Sequence, residues 1–168
     1  NNINDESNSN LYIDNPASGE VYNTEMDGLT VTLTLKAPVM PGVSNTIRIG
    51  IADGGDDAFD SNLLIAGHSV QTALVAGDDE IEAHLGQEVE ADLLANDESA
   101  AGGTLTITAI NNQPVGVGDT VVLATGEAIT LTPTGMVLAA SAETPGESTF
   151  SYEVSDEAGN TDIGFVTR

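Results

Sequence analysis

Cysteine is absent from this chain, so no disulfide closes a loop and no thiolate serves as nucleophile or soft metal ligand. Tryptophan is absent as well, and aromatic residues make up only 4% of the sequence. Basic residues number three, Lys36, Arg48 and Arg168. Nucleic acid and anionic membrane surfaces both require a basic footprint, so neither is an expected partner. No apolar run approaches the ~18 residues of a spanning helix, so membrane insertion is not expected. The chain starts Asn1-Asn2 with no leader pattern, and is read as a mature product or an excised piece of something longer.

The inventory for catalysis is equally thin. His68 and His84 are the only histidines, and neither sits in a zinc-ligand spacing. Ser61 lacks the Gly-x-Ser-x-Gly elbow of a nucleophilic serine. No glycine-rich stretch opens a helix, so no phosphate cradle is expected. Paired carboxylates are abundant, but a glycosidase cleft walled by aromatic rings has no tryptophan and three tyrosines to draw on. The expectation is a protein that is not an enzyme.

What the chain does have is acid. Aspartate and glutamate total 27 of 168 residues, for a formal net charge of -24. Three cations leave at least 24 carboxylates without a protein counter-ion, so the charge must be tolerated by screening, bound divalent ions, or both. Hydrophobic residues still make up 40%, enough to build a core. They are mostly Val, Ile, Leu and Ala, mixed with Thr and punctuated by 18 glycines. That mixture favours a turn-rich β-sandwich over helices.

Periodicity carries the same message. Residues 1–10 are polar and offer only Ile3 to a core. Short strands are expected at 11–13 and 20–22, with Asp27-Gly28 as a turn. From Leu29 to Leu35 the odd positions are apolar and the even ones are Thr, the clearest period-two pattern in the chain. Further strands are expected at 45–52, 62–66 and 70–75. The pattern restarts after the acidic stretch Ala76-Gly77-Asp78-Asp79-Glu80, with strands at 87–94, 104–110, 120–124, 128–132, 136–140, 149–154 and 163–166. Turns recur roughly every 8–12 residues, the spacing of a sandwich. The fold expected is all-β, two β-sandwich modules of Ig-like or jelly-roll-like type, divided into 1–76 and 77–168.

One loop stands out. Asp53, Asp56, Asp57 and Asp60 bring four carboxylates within eight residues, between the apolar runs ending at Ile51 and beginning at Leu63. Like charges held this close repel, and a bound cation relieves the repulsion. Oxygen ligands without His or Cys point to calcium, which takes about 6–8 oxygens. Glycines 54 and 55 let backbone carbonyls turn inward as further ligands. The spacing is not that of an EF-hand, and strands rather than helices flank it. A solvated acidic turn fits the same residues, because Asp and Gly alone also make turns.

Two family resemblances follow from longer motifs. Residues 78–166 contain GDDEIEAHLGQEVEADLLANDES, then GTLTITAINNQPV, then STFSYEVSDEAGNTD, in that order. This resembles the bacterial Ig-like, cadherin-like repeats of large secreted adhesins. Residues 11–75, through NTIRIGIADGGDDAFDSNLLIAG, resemble the C-terminal part of a secreted β-sandwich module of the choice-of-anchor type. That family usually carries further strands upstream, so the first module is expected to be incomplete. Either those strands lie in a longer precursor or another chain supplies them, and donation between subunits would build a fibre.

The resemblance implies calcium-stabilised, extracellular, non-enzymatic modules of a bacterial surface filament, matrix or adhesin. It maps calcium ligands onto Asp53, Asp56 and Asp60, with Asp57 as substitute. It adds Asp97 and Asp156 near the ends of the second sandwich, and Asp78 and Asp79 at the junction. For these four, an aspartate anchoring a turn is an equal reading. The partners implied are other copies of the chain or neighbouring modules. A calcium-dependent module that binds surface glycans is the rival reading, although Tyr12, Tyr22 and Tyr152 are too scattered to name a platform. A solvated acidic spacer adapted to high salt would explain the charge but not its clustering at 53–60.

Overall fold

A computed structural model describes residues 3–52, 61–140 and 146–168. The chain divides into two units, one formed by Asn1–Thr34 with Thr72–Arg168 and the other by Leu35–Gln71. Among the described residues the regular structure is almost wholly strand, with one short 3-10 turn at Ser9–Leu11 and no α-helix. The all-β expectation holds.

The first unit is built on a sandwich of two antiparallel-dominated sheets. Its strands, after the N-terminal pair β1 (Tyr12–Asp14) and β2 (Gly28–Thr30), are β3 (Leu74–Val75), β4 (Asp79–Glu80), β5 (Glu88–Ala91), β6 (Glu98–Ser99), β7 (Thr106–Ile110), β8 (Gln113–Pro114), β9 (Thr120–Val122), β10 (Ala128–Leu131), β11 (Met136–Ala139), β12 (Thr149–Ser155) and β13 (Thr161–Thr167). One sheet has the order β4-β13-β12-β7-β8 and the other β5-β11-β10-β9. β3 pairs with β6, and β1 with β2. Among the described residues only the β13–β4 pairing is parallel, and it joins the chain's entry into the sandwich, Asp79, to Val166 near its exit.

The inner faces follow the period-two rule. Phe150, Tyr152 and Val154 of β12 face Met136 and Leu138 of β11 and Ile129 and Leu131 of β10 in one cluster. Ile107, Ile110, Val121 and Val166 extend it. β12 is long because it is paired along both edges, with β13 over its whole length and with β7 over part of it. A bulge at Glu153/Val154 shifts the β7 register, so Ile110 rather than Ala109 opposes Tyr152. The β7–β8 hairpin turns on Asn111 and Asn112, both at positive φ, as a two-residue loop of the primed type requires.

The N-terminal segment belongs to this unit. Leu11 and Val31 are buried, and Val31 N donates to Leu11 O at 3.0 Å. The connection between β1 and β2 is organised by Asn15, a buried amide. Its Oδ1 accepts from Val21 N and Tyr22 N, and its Nδ2 donates to Tyr22 O and Met26 O. The Asp27-Gly28 turn expected from sequence is not a turn. Gly28 opens β2 opposite Asp14, and a Cβ there would collide with the Tyr12 ring.

Between residues 20 and 73 the structure departs from the sequence reading. The period-two stretches at 29–35, 45–52 and 62–66 form no ladder beyond Thr30 among the described residues, and 20–22 and 70–73 are irregular too. Leu33, Leu35, Ile47, Ile49, Ile51, Leu63, Leu64 and Ile65 are exposed. Alternation specifies which face of a strand is apolar. It does not supply the neighbouring strand that makes the hydrogen bonds, and none of the described residues of Leu35–Gln71 lies in a strand. The loop at 53–60 lies outside the described residues.

Burial separates the two units energetically. Phe150→Ala, at a fully buried position, should lower unfolding free energy by roughly 3–5 kcal/mol. Ile49→Ala, where the side chain is 54% exposed, should change it by no more than about 0.5 kcal/mol. Denaturant titration of dilute protein measures both.

Candidate functional site

A dense polar cluster lies where the chain enters the sandwich. Tyr152 sits in mid-β12 with its ring wholly buried, and its hydroxyl reaches past the core to this end. Gly164 on β13 makes room for it, since a Cβ there would run into the ring. The hydroxyl lies 2.9 Å from Gly77 O, 3.1 Å from Leu93 O and 3.0 Å from Asp97 Oδ1. One hydroxyl proton cannot serve three acceptors, so the pocket is rich in oxygen and short of hydrogen.

The surrounding residues fix this geometry. Asp97 Oδ1 also accepts from Gly77 N at 2.7 Å. Asn96 Nδ2 donates to Asp78 O at 3.1 Å and to Asp79 Oδ1 at 3.3 Å. Asp78 Oδ1 accepts from Phe165 N at 3.2 Å, tying the entry strand to β13. Asp79 Oδ2 is buried with no hydrogen-bond donor on it.

The electrostatics follow from that crowding. Burial raises the Asp79 carboxyl to about 6; a hydrogen bond from Tyr152 opposes the rise, the Asp97 and Asp78 charges add to it, and Asn96 opposes it less. Burial pushes the Tyr152 hydroxyl far above the usual phenol range, with Asp97 and Asp79 adding to it. The structure therefore brings together three of the aspartates named from sequence, Asp78, Asp79 and Asp97. Among the described residues, no three His, Cys, Asp or Glu side chains converge tightly enough to hold a metal ion by themselves.

Asp156 stands elsewhere, in the β12–β13 hairpin, and its carboxylate is filled by protein donors. Oδ2 accepts from Ser99 Oγ at 2.7 Å and Asn160 Nδ2 at 2.8 Å. Oδ1 accepts from Ala158 N at 3.0 Å and Asn160 N at 2.9 Å. Those bonds, the Asn160 side chain first and Ser99 next, hold its carboxyl down at about 2. This is the geometry of a turn anchor, and it also ties the hairpin to β6. Asp53, Asp56, Asp57 and Asp60 lie outside the described residues.

A family model for the bacterial Ig domain matches residues 71–168. The chain belongs to the bacterial Ig domain family. A second family model, the choice-of-anchor L domain, matches residues 1–71. No curated protein and no solved structure matches the chain. Both families are surface-associated, extracellular in character and typically non-catalytic, and no helix among the described residues is long and apolar enough to cross a membrane.

The bacterial Ig domain holds a second polar cluster that sequence reading passed over. Glu127 is wholly buried, with Arg168 Nε 3.2 Å from its Oε1 and the Arg168 side chain only 3% exposed. Ser148 Oγ donates to Glu127 Oε1 and Thr125 Oγ1 to Oε2. Arg168 Nη1 reaches Ala83 O at 3.3 Å. The signal was available: Arg168 is the only basic residue after position 48 in a strongly acidic chain. A buried carboxylate needs such a partner, because leaving either charge alone would be costly.

Two opposite pH dependences follow. The Asp79 carboxyl is raised in the folded state, so its contribution is fully present below about 4 and is lost as pH rises through about 6. Asp79→Asn should therefore raise the melting temperature above pH 6.5 in chelator and flatten the decline between pH 4 and 6.5. The Asp156 carboxyl is lowered, so its contribution is present above about 4 and is lost as pH falls through about 2. Asp156→Ala should lower the melting temperature at pH 7 and flatten the acid limb below pH 4. Melting curves of both variants across pH 2–8 check the two signs.

Proposed function

We propose that the chain is a non-catalytic structural module of a bacterial surface filament, matrix or adhesin, stabilised by calcium and joined to neighbouring copies or modules by strand donation. The observation that carries this reading is the contrast between the two units. The Ig sandwich is closed and its inner faces are covered. The Leu35–Gln71 unit exposes apolar residues at period-two spacing, Ile47, Ile49 and Ile51 among them, without a ladder among its described residues. An extended segment of that kind gains main-chain hydrogen bonds and covers its apolar face when a strand from another copy pairs with it.

Calcium is the ion that the chemistry favours. The loop at 53–60 carries four carboxylates and no softer ligand. At the entry of the Ig domain, the Gly77 and Leu93 carbonyls and the Asp97 carboxylate crowd one hydroxyl, beside an Asp79 oxygen that lacks a donor. Such a surplus of oxygen acceptors supports a cation at the junction as well. With a net charge of -24, a cation that neutralises crowded carboxylates relieves self-repulsion.

Thermal unfolding in chelator, in millimolar calcium and in millimolar magnesium, read together with particle size, tests the proposal. A bound ion raises stability by RT ln(1 + [L]/Kd), so calcium should raise the melting temperature and magnesium should not match it. Asp56→Asn and Asp60→Asn should each reduce the calcium shift and the affinity together. Particles should grow with concentration, and Ile49→Asp should stop that growth while leaving the Ig domain folded. Equal small shifts with either ion, or particles that stay monomeric, would leave an acidic spacer in place of a calcium-stabilised filament module.

A further inference from the structure

Two distant stretches of the chain converge on one buried carboxylate, Glu127. On the C-terminal side Arg168 pairs with it through Nε, and the Arg168 main chain bonds both ways with Ser148, at 2.9 and 3.1 Å. On the N-terminal side Thr125 Oγ1 donates to Glu127 Oε2 and in turn accepts from Asn10 Nδ2 at 2.8 Å. Thr125 N donates to Asn10 Oδ1 at 3.0 Å, and Asn111 Nδ2 donates to Asn10 O at 2.8 Å. Asn10, Glu127 and Ser148 are all buried. Between these anchors the chain leaves the unit after Thr34 and rejoins it at Thr72.

We propose that Asn10, Thr125, Glu127 and Arg168 form a tension-bearing latch, so that a pull between residue 10 and residue 168 passes through these side chains and bypasses Leu35–Gln71. The inference rests on the surface-module reading only for the source of the tension; the latch itself stands on the contacts above. A force applied along the chain takes the path that holds it shortest. Here that path runs through the Asn10, Thr125, Glu127 and Arg168 side chains.

The strength of the two anchors differs. Arg168 follows directly on β13, which is paired with β12 over its full length. Asn10 is held by its own amide and by Asn111, with Leu11 packed behind it and with Thr32 N on Asn112 Oδ1 and Thr34 Oγ1 on Asp162 Oδ1 further along. The N-terminal anchor is therefore the one that yields. The bonds at Asn10 are partly buried, which strengthens them and makes their rupture abrupt, because each freed group must be rehydrated. When it yields, the chain from Leu11 to Gln71 is released. At about 3.3–3.6 Å per residue that is on the order of 200 Å of extension, gained while the Ig core stays closed.

Single-molecule pulling on the full chain, with handles at residues 1 and 168, tests this. The expected trace has a first step of about 200 Å and then a separate rupture of the Ig core. Asn10→Ala should raise the zero-force rate of the first step roughly 10–100-fold, the loss of one or two buried hydrogen bonds, and leave the second step unchanged. Moving the first handle to residue 72 through Thr72→Cys, the sole cysteine, should delete the first step and keep the second. An unchanged first step in Asn10→Ala, or a trace with no separate first step, overturns the latch. Failure of the surface reading would appear instead as protein retained inside the cell, with the pulling trace as described.

Discussion

Phe150, Tyr152 and Val154 share one face of β12, and all three are wholly removed from water. Ser151, on the opposite face, is buried too, because the Asn111 amide covers it and accepts from its backbone N–H at 2.8 Å. A strand covered on both faces has nowhere to send its backbone polar groups except to its two neighbours. β7 and β13 supply those bonds, apart from the Ser151 N–H, which the Asn111 side chain just after β7 accepts. The consequences run outward from there. The Tyr152 hydroxyl is carried to the chain's entry, where it crowds Asp97 and Asp79, and Ser148, just ahead of β12, is set against Glu127.

The charge excess is handled by position. Glu88 and Glu90 are exposed on β5, an edge strand, where like charges discourage pairing with another sheet. Carboxylates drawn inward are given donors: Asp156 by the Asn160 turn and Ser99, Asp162 by Ala76 N, Glu127 by Arg168, Ser148 and Thr125. Asp79 is served on one side only: Asn96 Nδ2 reaches Oδ1, Oδ2 has no donor, and burial raises the carboxyl pKa. Arg168, the sole cation of the sandwich, is spent inside it, so no protein cation of the sandwich is left to neutralise its outer surface.

Legibility followed the strength of local signals. β7, β10 and β12 were readable because apolar residues alternate with Thr, Ser or Glu along them, and β9 and β11 as short apolar runs bounded by turn residues; each found a partner within the same unit. The two-residue strands β4, β6 and β8 were not readable, since two residues carry no period. The candidate site was readable in part. The motif around Asp97 and the junction pair named three residues that do meet. That they meet around Tyr152 required the fold, because 55 positions separate that hydroxyl from Asp97. Asn10, Asn15 and Glu127 were passed over, because a buried polar residue looks in sequence like any solvated one until its partners are assembled.

The sequence by itself determined the class of the protein. A cysteine-free, acidic, Thr- and Val-rich chain with alternating runs and frequent turns makes an all-β fold, because that preference follows from composition and local period. Tertiary structure decided which alternating runs became strands and which carboxylates lost their water. Leu29–Leu35 has the best period in the chain yet contributes little to a ladder, whereas Thr149–Ser155 forms the central strand. The difference lies in hydrogen-bond partners and burial, which are properties of neighbours distant in sequence.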